Sequence, residues 1–199
     1  MAVRGVEVVE HIIAEVLAGK SGEAIATPKG VPEAELEALT FGDGKALPPS
    51  LKRWLAFDRT WLEKELGVSD IVKTLKEGDN LADVVGDSVP EEGEEAFEEL
   101  VAKMPGVAVP LDRGSDSGRA LYAGKRDADG ECCVVSISWG DIPGIEIIYP
   151  GFDAWLAVQL GINASGAQAA RWPDALFEHG DNLLGGELAM EYEGSWASA

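Results

Sequence analysis

The spacing of hydrophobic and polar residues predicts helices before residue 105, strands from about 106 to 150, and one further helix. Apolar residues recur at helical spacing from Val6 to Leu17, and Gly19 follows as a natural stop. A short acidic helix is predicted over 31–39. His11 lies between two glutamates on the polar side of the first helix, which is typical of a solvent-exposed surface.

The stretch Ala-Leu-Pro-Pro-Ser at 46–50 predicts a sharp helix start, because proline suits the first helical turn and stops a helix arriving from before it. The apolar residues that follow have helical spacing, which indicates core positions and not a binding motif. These residues are Leu51, Trp54 and Leu55. The basic residues Lys52 and Arg53 are expected on the solvent side, where they can pair with acidic groups.

Several short helices are predicted over 60–104. Thr60 and Glu63 have the spacing of a capping box, and Gly67 favours a helix end, so one helix is expected to begin at Thr60. Ser88 again has a glutamate three residues later, at the start of a longer helix. We interpret the whole segment as a helical insertion in the domain.

The last helix of this segment is strongly acidic. Phe97 and Val101 belong to its predicted buried face, and the outer face carries six glutamates: Glu91, Glu92, Glu94, Glu95, Glu98 and Glu99. Glutamates near a helix N-terminus favour the helix, by about 0.3–1 kcal/mol each at most. Six of them exceed what a helix start requires, so this face is the best candidate for a charged binding surface.

Residues rich in β-branched and aromatic side chains follow, separated by turn sequences. The predicted strands are 106–111, 119–126, 131–138 and 144–150. A helix with one apolar face is predicted over 150–162, after the strands. The fold class is therefore expected to be α+β, with a central antiparallel sheet of about four to six strands and helices packed around it.

The 199-residue chain carries a formal net charge of −20, from 16 Lys and Arg against 36 Asp and Glu. Nucleic acid and anionic membranes would be repelled by this charge, which favours either a cationic partner or plain solubility. Acidic residues interrupt the apolar N-terminal stretch, which argues against a secretory signal, and no apolar run approaches the length of a membrane span. A cytoplasmic location is expected.

Few residues suit catalysis or metal binding. Cys132 and Cys133 are adjacent, so on a strand they would point to opposite faces as small core residues. His11 and His179 are the only histidines, and neither completes a metal-ligand spacing. Phosphate-loop, dinucleotide-binding and nucleophile-elbow motifs are absent from the sequence. No catalytic residue, cofactor or metal is expected.

The order of elements resembles the SUKH superfamily, which includes a fungal cell-wall regulator and many bacterial toxin-immunity proteins. A Leu-Pro-x-Ser helix start before an aromatic helix is typical of that family, and so is a late helix of the Phe-x-x-Trp-Leu type. The matching residues here are Leu47, Pro48, Ser50, Leu51, Trp54 and Leu55, followed by Phe152, Trp155 and Leu156. The resemblance covers residues 6–162.

The resemblance implies a non-catalytic α+β domain over 1–165, with the insertion at about 60–104 and a partly helical C-terminal extension over 166–199. It also implies a protein partner, and we expect an immunity protein that binds and occludes a toxin domain, for example a nuclease. A cationic toxin surface would suit the charge of this chain, because carboxylates can take the place of phosphates. The oligomeric state is left open.

Partner-binding residues are predicted on the acidic helix and near the sheet. They are the six glutamates between 91 and 99, together with Asp112, Asp116, Trp139 and Asp141. Trp139 has a second interpretation, as a core or sheet-edge residue. Two other functions stay open: a regulatory or scaffolding module of the same fold without a toxin partner, and a small enzyme using paired carboxylates in a deep pocket.

Overall fold

The computed structural model describes residues 5–21, 25–85, 94–102, 104–113, 117–126, 129–138, 144–149 and 151–162. Seven helices precede the strands in these ranges: α1 (Val6–Leu17), α2 (Glu33–Glu37), α3 (Pro49–Phe57), α4 (Thr60–Leu66), α5 (Ile71–Glu77), α6 (Leu81–Val85) and α7 (Glu94–Ala102). The strands β1 (Ala108–Arg113), β2 (Ser117–Arg126), β3 (Cys132–Ser138) and β4 (Gly144–Tyr149) follow, and then α8 (Phe152–Gln159).

The strands form one antiparallel sheet in the order β1-β2-β3-β4. Ala108 lies opposite Tyr122 in the first strand pair, and Val135 lies opposite Ile147 in the last. Each strand pair contains one register shift. The predicted α+β class with a central antiparallel sheet is confirmed. The predicted extension over 166–199 lies outside the described residues.

Alternating side chains of the sheet enter two separate cores. The first core joins one sheet face to α1, α3, α4, α5 and α8, and the second core joins the other face to α6 and α7. Cys132 belongs to the first core and Cys133 to the second, as the two-residue period of a strand requires. Both thiols are buried, so the prediction that they are core residues on opposite faces is confirmed.

Tryptophans dominate the first core. Trp61 stands edge-on to Trp54, with 5.7 Å between the ring centroids, and lies 6.1 Å from Trp155. All three side chains are buried, which confirms their prediction as core residues. The buried stripe of α1 is shorter than predicted, because Val6 and Leu17 at the two ends of the helix are 38% and 66% exposed.

The start of α3 depends on a residue from the sheet. Pro48 and Pro49 open the helix without a side-chain cap of their own, so Ser50 offers the first free backbone N–H. Glu131, directly before β3, accepts this N–H at 2.8 Å and the Ser50 hydroxyl at 2.5 Å. The predicted helix start is therefore correct, and a carboxylate 81 residues further along the chain caps it.

The end of α3 and the start of α4 meet at Asp58. Its buried carboxylate accepts the backbone N–H of Lys29 at 2.8 Å and that of Trp61 at 2.7 Å. The hydroxyl of Thr60 donates to the same carboxylate, so Thr60 does not cap α4 as its spacing with Glu63 predicted. Glu63 instead accepts the N–H of Ile71, at the start of α5. Gly67 ends α4 in the left-handed conformation, as predicted.

Candidate acidic interaction surface

The helices α6 and α7 form a layer over the second face of the sheet. Leu81, Val84 and Phe97 point from this layer into the second core. Asn80 and Asp83 cap α6 reciprocally: the Asn80 side chain accepts the N–H of Asp83 at 3.0 Å, and Asp83 accepts the N–H of Asn80 at 3.3 Å. The Asn-x-x-Asp spacing was a sequence signal for this cap that sequence reasoning missed.

The outer side of this layer is acidic. Asp83 of α6 is exposed, and so are Glu95 and Glu98 of α7. Phe97 of α7 is only 4% exposed, so α7 has a buried apolar side and an acidic outer side, as predicted. Neither Glu95 nor Glu98 forms an ion pair with any residue that the structure describes. We refer to Asp83, Glu95 and Glu98 as the acidic outer surface.

Six other described acidic residues form ion pairs with neighbouring bases. Ion pairs with nitrogen–oxygen distances of 2.5–3.8 Å join Glu10 to Arg53, Glu15 to Lys20, Asp43 to Lys45, Glu63 to Arg59, Glu77 to Lys73 and Asp112 to Arg119. The hydrogen bond from Arg53 holds the pKa of Glu10 below its ordinary value. These bases lie on other elements, so the acidic outer surface keeps its negative charge among the described residues.

The predicted partner-binding residues fall into three groups. Glu95 and Glu98 lie on the acidic outer surface, and Glu94 and Glu99 occupy the same helix. Asp112 is exposed on β1, where Arg119 of β2 binds it at 3.0 Å. Glu91, Glu92, Asp116, Trp139 and Asp141 lie outside the described residues. Since β1 and β4 are opposite edges of the sheet and α7 contacts β4, Asp112 is not grouped with the glutamates.

Two buried carboxylates meet at helix N-termini in the first-core layer. Asp153 of α8 accepts at 2.8 Å the backbone N–H of Gly5, the residue directly before α1. Gly5 has a φ of +55°, and a Cβ atom there would lie 2.7 Å from Oε1 of Glu131, so glycine is required. Glu131 and Asp153 thus hold the starts of α3 and α1 together, which is a structural use of acidic residues. Sequence reasoning missed both residues.

Tyr122 is a buried residue of the second core, and the fold makes its hydroxyl harder to ionise. Burial, with a smaller contribution from Cys133, raises the pKa of its hydroxyl to about 12. The hydroxyl donates a hydrogen bond to the carbonyl oxygen of Pro105 at 2.9 Å. The ring lies over Gly124, where a Cβ atom would come within 2.2 Å of the hydroxyl oxygen. Tyr122 therefore anchors the loop before β1 as a neutral donor.

Within the described ranges, no group of three or more His, Cys, Asp or Glu side chains is placed to hold a metal ion. Among the same residues, no helix combines the length and the apolar character that crossing a membrane requires. In this part of the chain, the acidic outer surface over α6 and α7 is exposed and forms no ion pair with a described residue.

Comparison with known proteins gives a fold likeness. The chain matches no protein-family model and no curated protein. Among solved structures it is similar to the crystal structure of an uncharacterized protein from Salmonella enterica subsp. enterica serovar typhimurium str. 14028s. The TM-score is 0.52 at 15% sequence identity, over 96% of this chain and 92% of the other. At this identity the likeness concerns the fold alone.

Proposed function

We propose that this chain is a non-catalytic protein-binding domain, and specifically an immunity protein that binds and occludes a cationic toxin domain. One observation carries the proposal: α7 fills the second core with its apolar side and presents Glu95 and Glu98 to solvent, and together with Asp83 of the neighbouring α6 these carboxylates form no ion pair with a described residue. A nuclease is a suitable toxin, because a surface that holds nucleic acid is basic and can accept carboxylates in place of phosphates.

Three buried acidic residues have a different role from the exposed glutamates of α7. Asp58, Glu131 and Asp153 are buried and accept backbone N–H groups, so they serve the fold. Among the residues that the structure describes, Glu95 and Glu98 have no such partner, and they lie on a helix whose other side fills the second core. A net charge of −20 would also speed the approach of a basic partner, in a manner that added salt weakens.

The first experiment uses the protein encoded by the neighbouring gene as the binding probe. We expect direct binding, measured by calorimetry, that weakens as the salt concentration rises from about 50 to 300 mM. If the neighbouring gene encodes no toxin-like protein and its product does not bind, the immunity function is refuted. A regulatory or scaffolding module would then be the function to test.

A matched pair of variants separates local contact from total charge. The double variant Glu95→Gln/Glu98→Gln should weaken binding by about tenfold or more, since it removes carboxylates that the partner contacts. The control Glu33→Gln/Glu37→Gln changes the net charge equally on α2, whose two glutamates are also exposed. We expect the control to weaken binding less than about threefold. Equal effects of the two variants would refute the acidic outer surface as the binding site.

A further inference from the structure

The two edges of the sheet differ in construction. At the β1 edge, Asp79 forms a two-bond bridge with Ala108: the N–H of Ala108 donates to Asp79 at 2.6 Å and the N–H of Asp79 to Ala108 at 3.3 Å. Pro110 lacks an N–H group, and a bulge follows between Pro110 and Asp112. Proline, bulges and short covering segments are devices that protect an edge from added strands.

Within the described residues, the β4 edge has no proline and no covering bridge, although its pairing with β3 also contains one bulge, at Ile148. On one side β4 pairs with β3, and no strand or bridge that the structure describes pairs with its outer side. The strand contains neither proline nor lysine. Ile145 and Ile147 are buried in the second core, which holds the strand in place. Backbone groups on the outer side of such a strand form a template for another extended segment.

Charge beside this edge indicates what that segment carries. The acidic helix α7 contacts β4, while α6 contacts β1 and β2 at the other end of the layer. Glu95 and Glu98 of α7 are exposed and form no ion pair with a described residue. An extended segment rich in Lys or Arg would therefore find backbone partners on β4 and opposite charges on α7.

We propose that the β4 edge binds an extended, lysine- or arginine-bearing strand of the partner by β-strand addition. The inference rests on the proposed function, because it names how the cationic partner is held. Backbone hydrogen bonds to β4 supply the affinity, and the glutamates of α7 select a basic strand.

The test uses a synthetic probe, a nine-residue peptide of alternating Lys and Val with blocked ends. Its control has the same sequence with alternate backbone nitrogens methylated, which leaves charge and side chains unchanged and removes the donors for strand pairing. Each is titrated into the isotope-labelled full chain and followed by the amide NMR signals of residues 145–148. We expect the unmodified peptide to bind at least about tenfold more tightly and to slow amide exchange on β4 by a similar factor.

Three results would overturn the inference. Equal binding of the two peptides would mean that charge alone attracts them. Slow exchange of all β4 amides in the chain without peptide, at a concentration where it is monomeric, would mean that another part of the chain already covers the edge. A dimer whose formation protects the same amides would assign the edge to a second copy.

Binding and amide-exchange measurements distinguish a failure of strand addition from a failure of the proposed function. If the neighbouring gene product binds wild type but β4 exchange does not change in the complex, the edge is not used and the proposed function stands. If the peptide binds at β4 but no cationic protein is captured, strand addition stands and the immunity function fails.

Discussion

Replacing Glu131 by alanine tests whether a carboxylate from the sheet fixes the start of α3. Glu131 is 2% exposed and Ser50 is fully buried. The substitution removes the acceptor of both the Ser50 N–H and the Ser50 hydroxyl. A buried donor without a partner costs about 1–3 kcal/mol, and the chain no longer has to bury a charge, which offsets part of this. We expect the free energy of unfolding to fall by about 2–4 kcal/mol.

Urea denaturation followed by tryptophan fluorescence measures this loss, because Trp54 of α3 is fully buried in the folded chain. Two further variants define its origin. Glu131→Gln keeps an oxygen for the Ser50 N–H and an amide that can donate to the Ser50 hydroxyl, so it should lose less than Glu131→Ala. Ser50→Ala removes the hydroxyl alone and should cost about 1 kcal/mol. A Glu131→Ala variant within about 0.5 kcal/mol of wild type would refute the capping role.

Two other predictions concern close packing and ionisation. A Cβ atom at Gly30 would lie 2.1 Å from the carbonyl oxygen of Ala56, so Gly30→Ala should lower the free energy of unfolding in urea by about 2 kcal/mol or more. The control is Gly44→Ala: a Cβ atom there meets nothing within 4 Å, but φ is +80°, so the free energy of unfolding should fall by only about 1–2 kcal/mol. A smaller fall for Gly30→Ala than for Gly44→Ala would contradict the close packing at Gly30. Because the pKa of Tyr122 rises from 10.0 to about 12 on folding, the unfolded chain releases this proton first and stability should fall between those pH values. Tyr122→Phe should remove up to about 1.4 kcal/mol per pH unit of that fall in urea titrations, and an unchanged slope would contradict it.

Sequence patterns predicted the sheet well because strands carry their information locally. The alternation through Cys132 and Cys133 assigns side chains to two faces, and turn residues separate one strand from the next. The start of α3 was equally clear, since its prolines act on adjacent residues. These signals need no knowledge of the rest of the fold.

Contacts between distant residues could not be predicted in this way. Glu131 is 81 residues from Ser50, and Asp153 is 148 residues from Gly5. Local spacing also predicted the wrong cap for α4. Thr60 fits the capping-box spacing, but the carboxylate of Asp58, two residues earlier, accepts the N–H of Trp61. The acidic side of α7 was predictable from its period, but which sheet face and which edge α7 covers depends on tertiary packing.

The role of Glu131 in the fold and the role proposed for Glu95 and Glu98 at a partner can be separated by experiment. Glu131 accepts hydrogen bonds inside the fold, so its removal should lower stability at any concentration of partner. Glu95 and Glu98 accept none from the described residues, so their neutralisation should leave stability within about 0.5 kcal/mol of wild type and weaken only binding. A variant of Glu95 and Glu98 that lost stability and binding together would place these side chains in the fold and not at the partner. The contrast between the two measurements, made on the same variants, decides whether the charge of α7 exists for recognition.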